Sequence, residues 1–198
     1  MSIAERDYRV LTSGLALCAG LAAAYAVLFP GPIPVSTAVI RDAVVFAILA
    51  IIADEMAVEI SDRVTLAAFN LPILLAIMFT GRLPAIGVAV AVGLWGAWRE
   101  TSRSVVVYNT ANFVVAVFLA SLAFDALLEP FGVQLDDVTV GLLVAGAVAA
   151  VAFEGTNLIL LSVGMRVKYR RHFGAFWRGE MPPFLRSLGV LLLLGLAI

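Results

Sequence analysis

Two polar residues lie one helical turn apart inside a long apolar stretch of the sequence. Glu154 and Asn157 are three positions apart within the run from about 138 to 165. That spacing puts both side chains on one face of a helix. An ionisable side chain at membrane depth is costly, and it marks a functional site more often than chance. The pair is therefore the first candidate for binding chemistry.

A second polar pair with the same spacing opens the preceding apolar run. Asn109 and Asn112 lie near its start, and Asp54 lies toward the end of an earlier run. We expect these three residues to join Glu154 and Asn157 in a central polar pocket for a small ligand or a proton. The alternative is purely structural, because polar side chains also hydrogen-bond between membrane helices, at about 0.6 kcal/mol each on average. Asp54 is equally well explained by a place at the cytoplasmic interface.

The sequence contains no recognisable catalytic constellation. His172 is the only histidine and Cys18 the only cysteine, which excludes a histidine-based metal site, a catalytic triad and a disulfide scaffold. Motifs for phosphate or dinucleotide binding are also missing. We therefore expect no catalytic residue, no metal and no cofactor within this chain.

The composition indicates an integral membrane protein. Apolar residues make up 63% and charged residues 14% of the 198 residues, and the mean hydropathy is +1.06. A water-soluble domain of this size cannot bury so much apolar surface, and a disordered chain is excluded for the same reason. The net charge of −1 argues against a nucleic-acid-binding protein, which needs a clustered basic surface.

The long apolar runs predict an all-α integral membrane bundle with six complete spans and a truncated seventh. They show no period-two alternation, and helices satisfy every backbone amide locally in lipid. Polar turns at 29–34, 80–84 and 99–104, and an acidic loop at 129–137, separate them. The predicted spans are 10–29, 41–59, 65–80, 83–98, 106–128, 138–165 and, incompletely, 184–198. Asn70 and Asp125 are further polar residues within these spans.

The last run predicts that the natural polypeptide continues beyond Ile198. Its fifteen residues reach only about 22 Å, which is short of a hydrocarbon core of about 30 Å. We therefore interpret residues 1–198 as a transmembrane domain from which a C-terminal effector domain is missing.

The basic residues predict the orientation. Eleven Lys and Arg residues fall on the side of the N-terminus and only Arg41 and Arg82 on the other, which places the N-terminus in the cytoplasm. Basic and aromatic residues alternate in the longest cytoplasmic connection, 166–183. We expect that segment to lie on anionic lipid, with docking of a cytoplasmic domain as the alternative. The basic residues assigned to the membrane surface are Arg166, Lys168, Arg170, Arg171 and Arg178.

Three short stretches together resemble a known family. They are Glu59–Phe69 with the Gly81–Pro84 turn, Tyr108–Asn112, and Phe153–Asn157 with its following basic loop. The chain resembles the multi-span N-terminal domain of bacterial signalling proteins that carry an HD-GYP phosphodiesterase domain, or a GGDEF or kinase domain. The resemblance implies a sensory or anchoring module in the inner membrane that regulates cyclic di-GMP hydrolysis, and it is compatible with a homodimer. The catalytic HD-GYP residues have no counterpart here, and Glu154 is more acidic than the family pattern suggests.

Two other functions fit the same sequence. Six spans in about 190 residues are also similar to the substrate-binding subunit of vitamin transporters of the energy-coupling-factor type. A purely structural anchor is the third interpretation. A soluble effector domain downstream would favour the sensor, and a stop codon after the seventh span would favour the transporter.

Overall fold

The computed structural model describes residues 3–56, 58–61, 64–66, 69–98, 100, 102–128 and 140–170. Within these residues the chain forms six α-helices and one short β-hairpin, so the predicted helical bundle is confirmed apart from that hairpin. The helices are α1 (Ile3–Leu28), α2 (Thr37–Glu55), α3 (Asn70–Thr80), α4 (Arg82–Trp95), α5 (Arg103–Leu128) and α6 (Val140–Tyr169). The strands are β1 (Val58–Ser61) and β2 (Val64–Leu66), and a 3-10 turn at Gly96–Trp98 follows α4.

The proline-rich segment between the first two helices interrupts the helical structure, as predicted. Helix α1 ends at Leu28 and α2 begins at Thr37. Ser36 caps α2, because its hydroxyl accepts a hydrogen bond from the Val39 amide at 3.3 Å. That bond satisfies one of the free amides of the first turn. The start of α1 at Ile3 is earlier than predicted, since the charged residues before position 10 are also helical.

The third predicted span, 65–80, begins five residues too early. Residues 58–61 and 64–66 form two antiparallel strands in which Val58 pairs with Leu66 and Glu59 with Thr65. The β-branched residues there favour strand over helix. Helix α3 begins only at Asn70 and contains 11 residues, which is about 16 Å of helix.

The turn predicted at 80–84 is present but shorter, because only Gly81 separates the end of α3 at Thr80 from the start of α4 at Arg82. Gly81 has φ +79°, a backbone conformation that residues other than glycine rarely adopt. A Cβ atom at this position would also lie 3.1 Å from the Cβ of Ile33. Gly81 therefore lets two short helices reverse direction against the segment that joins α1 to α2.

Helices α5 and α6 form the centre of the bundle, and α1 packs against both. The Tyr8 and Tyr108 rings lie 5.5 Å apart, and the Lys168 ammonium lies 5.5 Å from the Tyr8 ring, so these residues define one end of the bundle, the Tyr8 end. At the other end, the Arg82 end, Arg82 contacts Phe29 and Asp125. Helices α1 and α5 thus run from the Tyr8 end to the Arg82 end, and α6 runs back.

The outer surface of the bundle is strongly apolar. Large apolar side chains such as Leu17, Ile48 and Val151 are exposed on α1, α2 and α6. A surface of this kind suits lipid and is costly in water. Among the described residues, three helices are long and apolar enough to cross a membrane: α1, α5 and α6.

The prediction of six complete spans is not supported by these helices. Helix α2 carries four charged residues within its 19, and α3 and α4 are short apolar helices of 11 and 14 residues. An apolar window in the sequence measures hydropathy, and it does not reveal where the backbone stops being helical. The predicted seventh run, 184–198, lies outside the described residues.

Candidate functional site

A cluster of four polar side chains is buried at mid-depth in the bundle. Glu154 is the fifteenth of the 30 residues of α6 and is only 1% exposed. Asn157 follows it on the same helix, Asn112 faces them from α5, and Asn70 is the first residue of α3. We call these four residues the polar cluster. They are all at least nine-tenths buried.

Amide groups donate to oxygens throughout the polar cluster. The Asn70 amide nitrogen donates to Oε1 of Glu154. The Asn112 amide nitrogen donates to Oδ1 of Asn157 at 2.6 Å and lies 3.5 Å from the backbone carbonyl of Asn157. Three helices that are far apart in the sequence are therefore joined by their polar groups at one level.

Three oxygens of the cluster are left over. Oε2 of Glu154, Oδ1 of Asn70 and Oδ1 of Asn112 are buried, and none has a hydrogen-bond partner among the described residues. An unsatisfied buried polar atom costs about 1–3 kcal/mol. A purely structural network would not be expected to leave three such acceptors in one place.

The start of α3 adds a fixed partial charge at the same depth. The Phe69 and Phe113 rings lie 5.3 Å apart, and Phe113 is the eleventh of the 26 residues of α5, so the helix begins near the middle of the bundle. No side chain caps this end of α3. A helix N-terminus carries about half a positive charge, which stabilises a nearby carboxylate. Discontinuous helices with ends at mid-depth form ion and substrate sites in many transporters.

The structure brings together three of the five predicted ligand-binding residues, namely Glu154, Asn157 and Asn112. Asn109 lies one turn before Asn112 and is half-buried, outside the hydrogen bonds of the cluster. Asp54 lies near the end of α2, which packs mainly against α3 and α4. Asn70 is the member that sequence reasoning missed, and its only signal was an amide side chain two residues before a proline.

The predicted membrane-surface residues fall at the end of α6. Arg166 and Arg170 are exposed, and Lys168 stacks with its ammonium 5.0 Å from the Tyr169 ring and 5.5 Å from the Tyr8 ring. Aromatic rings beside basic side chains are typical of a membrane interface. Arg171 and Arg178 lie outside the described residues.

A second buried polar contact lies at the Arg82 end. The Arg82 guanidinium donates to Oδ2 of Asp125 at 2.5 Å and to the backbone carbonyl of Phe29 at 2.9 Å. It also lies 5.5 Å from the centre of the Tyr25 ring. Because the Asp125 carboxylate balances the charge of Arg82, we interpret this contact as structural.

The described part of the chain contains no group of three or more His, Cys, Asp or Glu side chains that could hold a metal ion. Comparison with known proteins found no matching protein family, no matching curated protein and no matching solved structure. The polar cluster therefore has to be interpreted from its own chemistry.

Proposed function

We propose that this chain is a membrane-embedded sensory module of a bacterial signal-transduction protein. In this proposal its helices cross the inner membrane several times, with the N-terminus in the cytoplasm. The module regulates a downstream cytoplasmic domain that hydrolyses cyclic di-GMP. The sequence resemblance to the N-terminal domains of HD-GYP proteins supports this assignment of the output.

The observation that carries the proposal is the polar cluster. A pure anchor needs no buried carboxyl group and gains little from interhelical hydrogen bonds. Here a carboxyl and three amides meet where α3, α5 and α6 come together, and three of their oxygens are free. A guest bound at such a point can change the packing of three helices at once, which is what a sensor requires.

The proposal is tested in cells that carry the native gene with its downstream sequence. We expect Asn157→Ala to change the cellular cyclic di-GMP level several-fold, because it removes the hydrogen bond between α5 and α6. Asn109→Ala is the matched control, since this asparagine lies outside the cluster on α5. Equal cyclic di-GMP levels in the parent strain and in both variants, at equal protein abundance, would refute the sensor.

A transporter subunit is the second candidate function, and one observation favours it. Helix α3 begins at mid-depth beside the buried carboxyl, as discontinuous helices do in transporters. If the chain binds a vitamin-like substrate, deleting the gene should abolish uptake of that substrate and leave cyclic di-GMP unchanged. The cyclic di-GMP experiment therefore separates the two functions.

A further inference from the structure

We propose that the free oxygens of Glu154, Asn70 and Asn112 bind one monovalent cation in the middle of the bundle. This inference deepens the proposed function, because it names the class of ligand that the polar cluster takes. It rests on three oxygens from three different helices. Each belongs to a residue that is at least nine-tenths buried, and each lacks a partner within the described residues.

The orientation of the two amides is fixed by their neighbours. The Asn112 side chain meets two oxygens of Asn157, and the Asn70 side chain meets an oxygen of Glu154. In this arrangement each amide turns its nitrogen, the donor, toward these contacts. Its oxygen is then left without a donor, so the cluster holds acceptor oxygens that either a cation or a hydrogen-bond donor satisfies.

The helices that pack against α6 supply no cation to Glu154. Helix α3 has no ionisable residue, and the two nearest on α5 are Tyr108 and Asp125. Helices α5 and α6 run in opposite directions and are paired at Asn112 and Asn157, so Glu154 is level with residue 115 of α5. Asp125 is ten residues further along α5, which places it and its partner Arg82 roughly 15 Å from Glu154 along the helix axis.

The remaining ionisable residues lie toward the ends of α1 and α6 or on their outer surface. On α6, Arg166, Lys168 and Tyr169 are at least 12 residues from Glu154, which is roughly 18 Å of helix. On α1, Tyr25 lies beside Arg82 and Cys18 is exposed. The other ionisable residues of α1 all lie in its first seven positions, at the Tyr8 end: Glu5, Arg6, Asp7, Tyr8 and Arg9.

The donor set selects the kind of cation. Carboxylate and amide oxygens are hard ligands, which favour a proton or an alkali-metal ion over soft transition metals. The cluster has one carboxylate, so a divalent ion would leave an uncompensated charge in apolar surroundings. A proton and Na⁺ each bring one positive charge to the cluster. A proton bonds to one oxygen of the Glu154 carboxylate, which then donates to an amide oxygen, whereas Na⁺ contacts all three free oxygens.

The test uses the purified chain in lipid nanodiscs without other alkali ions. The melting temperature is followed while NaCl replaces N-methylglucamine chloride at constant ionic strength and pH. We expect saturating Na⁺ to raise the melting temperature of the parent protein by about 5 °C, and that of Glu154→Gln by no measurable amount. Asn109→Ala should respond as the parent does.

A parallel series varies the pH without Na⁺ and thereby distinguishes the two occupants. If the melting temperature rises at low pH in the parent protein but not in Glu154→Gln, and Na⁺ does not change it, the bound cation is a proton. A rise that follows Na⁺ identifies an alkali-metal ion. If neither Na⁺ nor pH shifts the parent relative to Glu154→Gln, the cation site is refuted.

A second variant keeps the test decisive if Glu154→Gln does not fold. Asn112→Ala removes one oxygen and should require roughly tenfold more Na⁺ for the same binding of radioactive sodium. If Asn112→Ala binds sodium as tightly as the parent protein does, the proposal is contradicted. It is also contradicted if the parent protein binds no sodium and its melting temperature does not change in the pH series. The cyclic di-GMP experiment remains a separate measurement, so a sensor for another ligand would survive the loss of the cation site.

Discussion

At the scale of single residues, Arg82 offers the clearest stability test. It is 6% exposed and is bound to Asp125 and to the Phe29 carbonyl. We expect Arg82→Gln to lower the free energy of unfolding by about 3 kcal/mol, because it leaves the partly buried Asp125 carboxylate without its counter-charge. The measurement is thermal or denaturant unfolding in detergent.

The matched control is Arg41, which pairs with Asp42 on the surface of α2 at 2.9 Å. Arg41→Gln should cost less than about 1 kcal/mol, since exposed ion pairs contribute little. The double variant Arg82→Gln/Asp125→Asn should be less destabilised than the sum of the two single variants, because it removes both buried charges. Similar losses for Arg41→Gln and Arg82→Gln would contradict a structural role for the buried pair.

Helical spacing made part of the polar cluster predictable. Glu154 and Asn157 stand out because both interrupt one apolar run at a spacing of three, and Asn109 and Asn112 stand out in the preceding run for the same reason. Asn70 could not be placed, because it lies in the first turn of a helix whose start the apolar pattern does not mark. The contact of Arg82 with Asp125 was equally hidden, since the two residues are 43 positions apart.

At the scale of elements, the close approach of α4 and α5 depends on one glycine. A Cβ atom at Gly93 would lie 2.7 Å from the Cα atom of Thr110, and a backbone atom has little freedom to move away. We expect Gly93→Ala to destabilise the bundle by about 2 kcal/mol through overpacking. A fall in melting temperature in detergent would show it.

Gly87 provides the control on the same helix. A Cβ atom there meets no atom within 4 Å, so Gly87→Ala should leave stability unchanged or raise it by up to about 1 kcal/mol through helix propensity. If Gly87→Ala were as damaging as Gly93→Ala, the loss would reflect the helix itself and not its contact with α5.

Whether a predicted element boundary is correct depends on whether the residues there act on the backbone. Proline and glycine gave the breaks between α1 and α2 and between α3 and α4 correctly, because these residues act through the backbone. The strands β1 and β2 were missed because their apolar residues look like the continuation of a span.

At the scale of the whole molecule, the distribution of basic residues bears on the proposed orientation in the membrane. The described basic residues gather at the Tyr8 end, which carries Arg6, Arg9, Arg103, Arg166, Lys168 and Arg170, whereas Arg41 and Arg82 belong to the other end. Basic residues remain on the cytoplasmic side during insertion. Under the proposed orientation the polar cluster lies between the two faces of the membrane, and the ends of α1, α5 and α6 at the Tyr8 end face the cytoplasm.

This orientation predicts which surface positions a membrane-impermeant maleimide can reach. The natural cysteine is first removed by Cys18→Ser. In that background Val35→Cys, an exposed position at the Arg82 end, should be labelled in intact cells from which the outer membrane has been removed. Glu100→Cys, exposed between α4 and α5 at the Tyr8 end, should be labelled only after the cells are opened. The reverse labelling pattern would mean that the bundle is inserted in the opposite orientation. The two positions are connected by α2, α3 and α4. Labelling of both positions in closed cells would mean that these three helices do not carry the chain across the membrane.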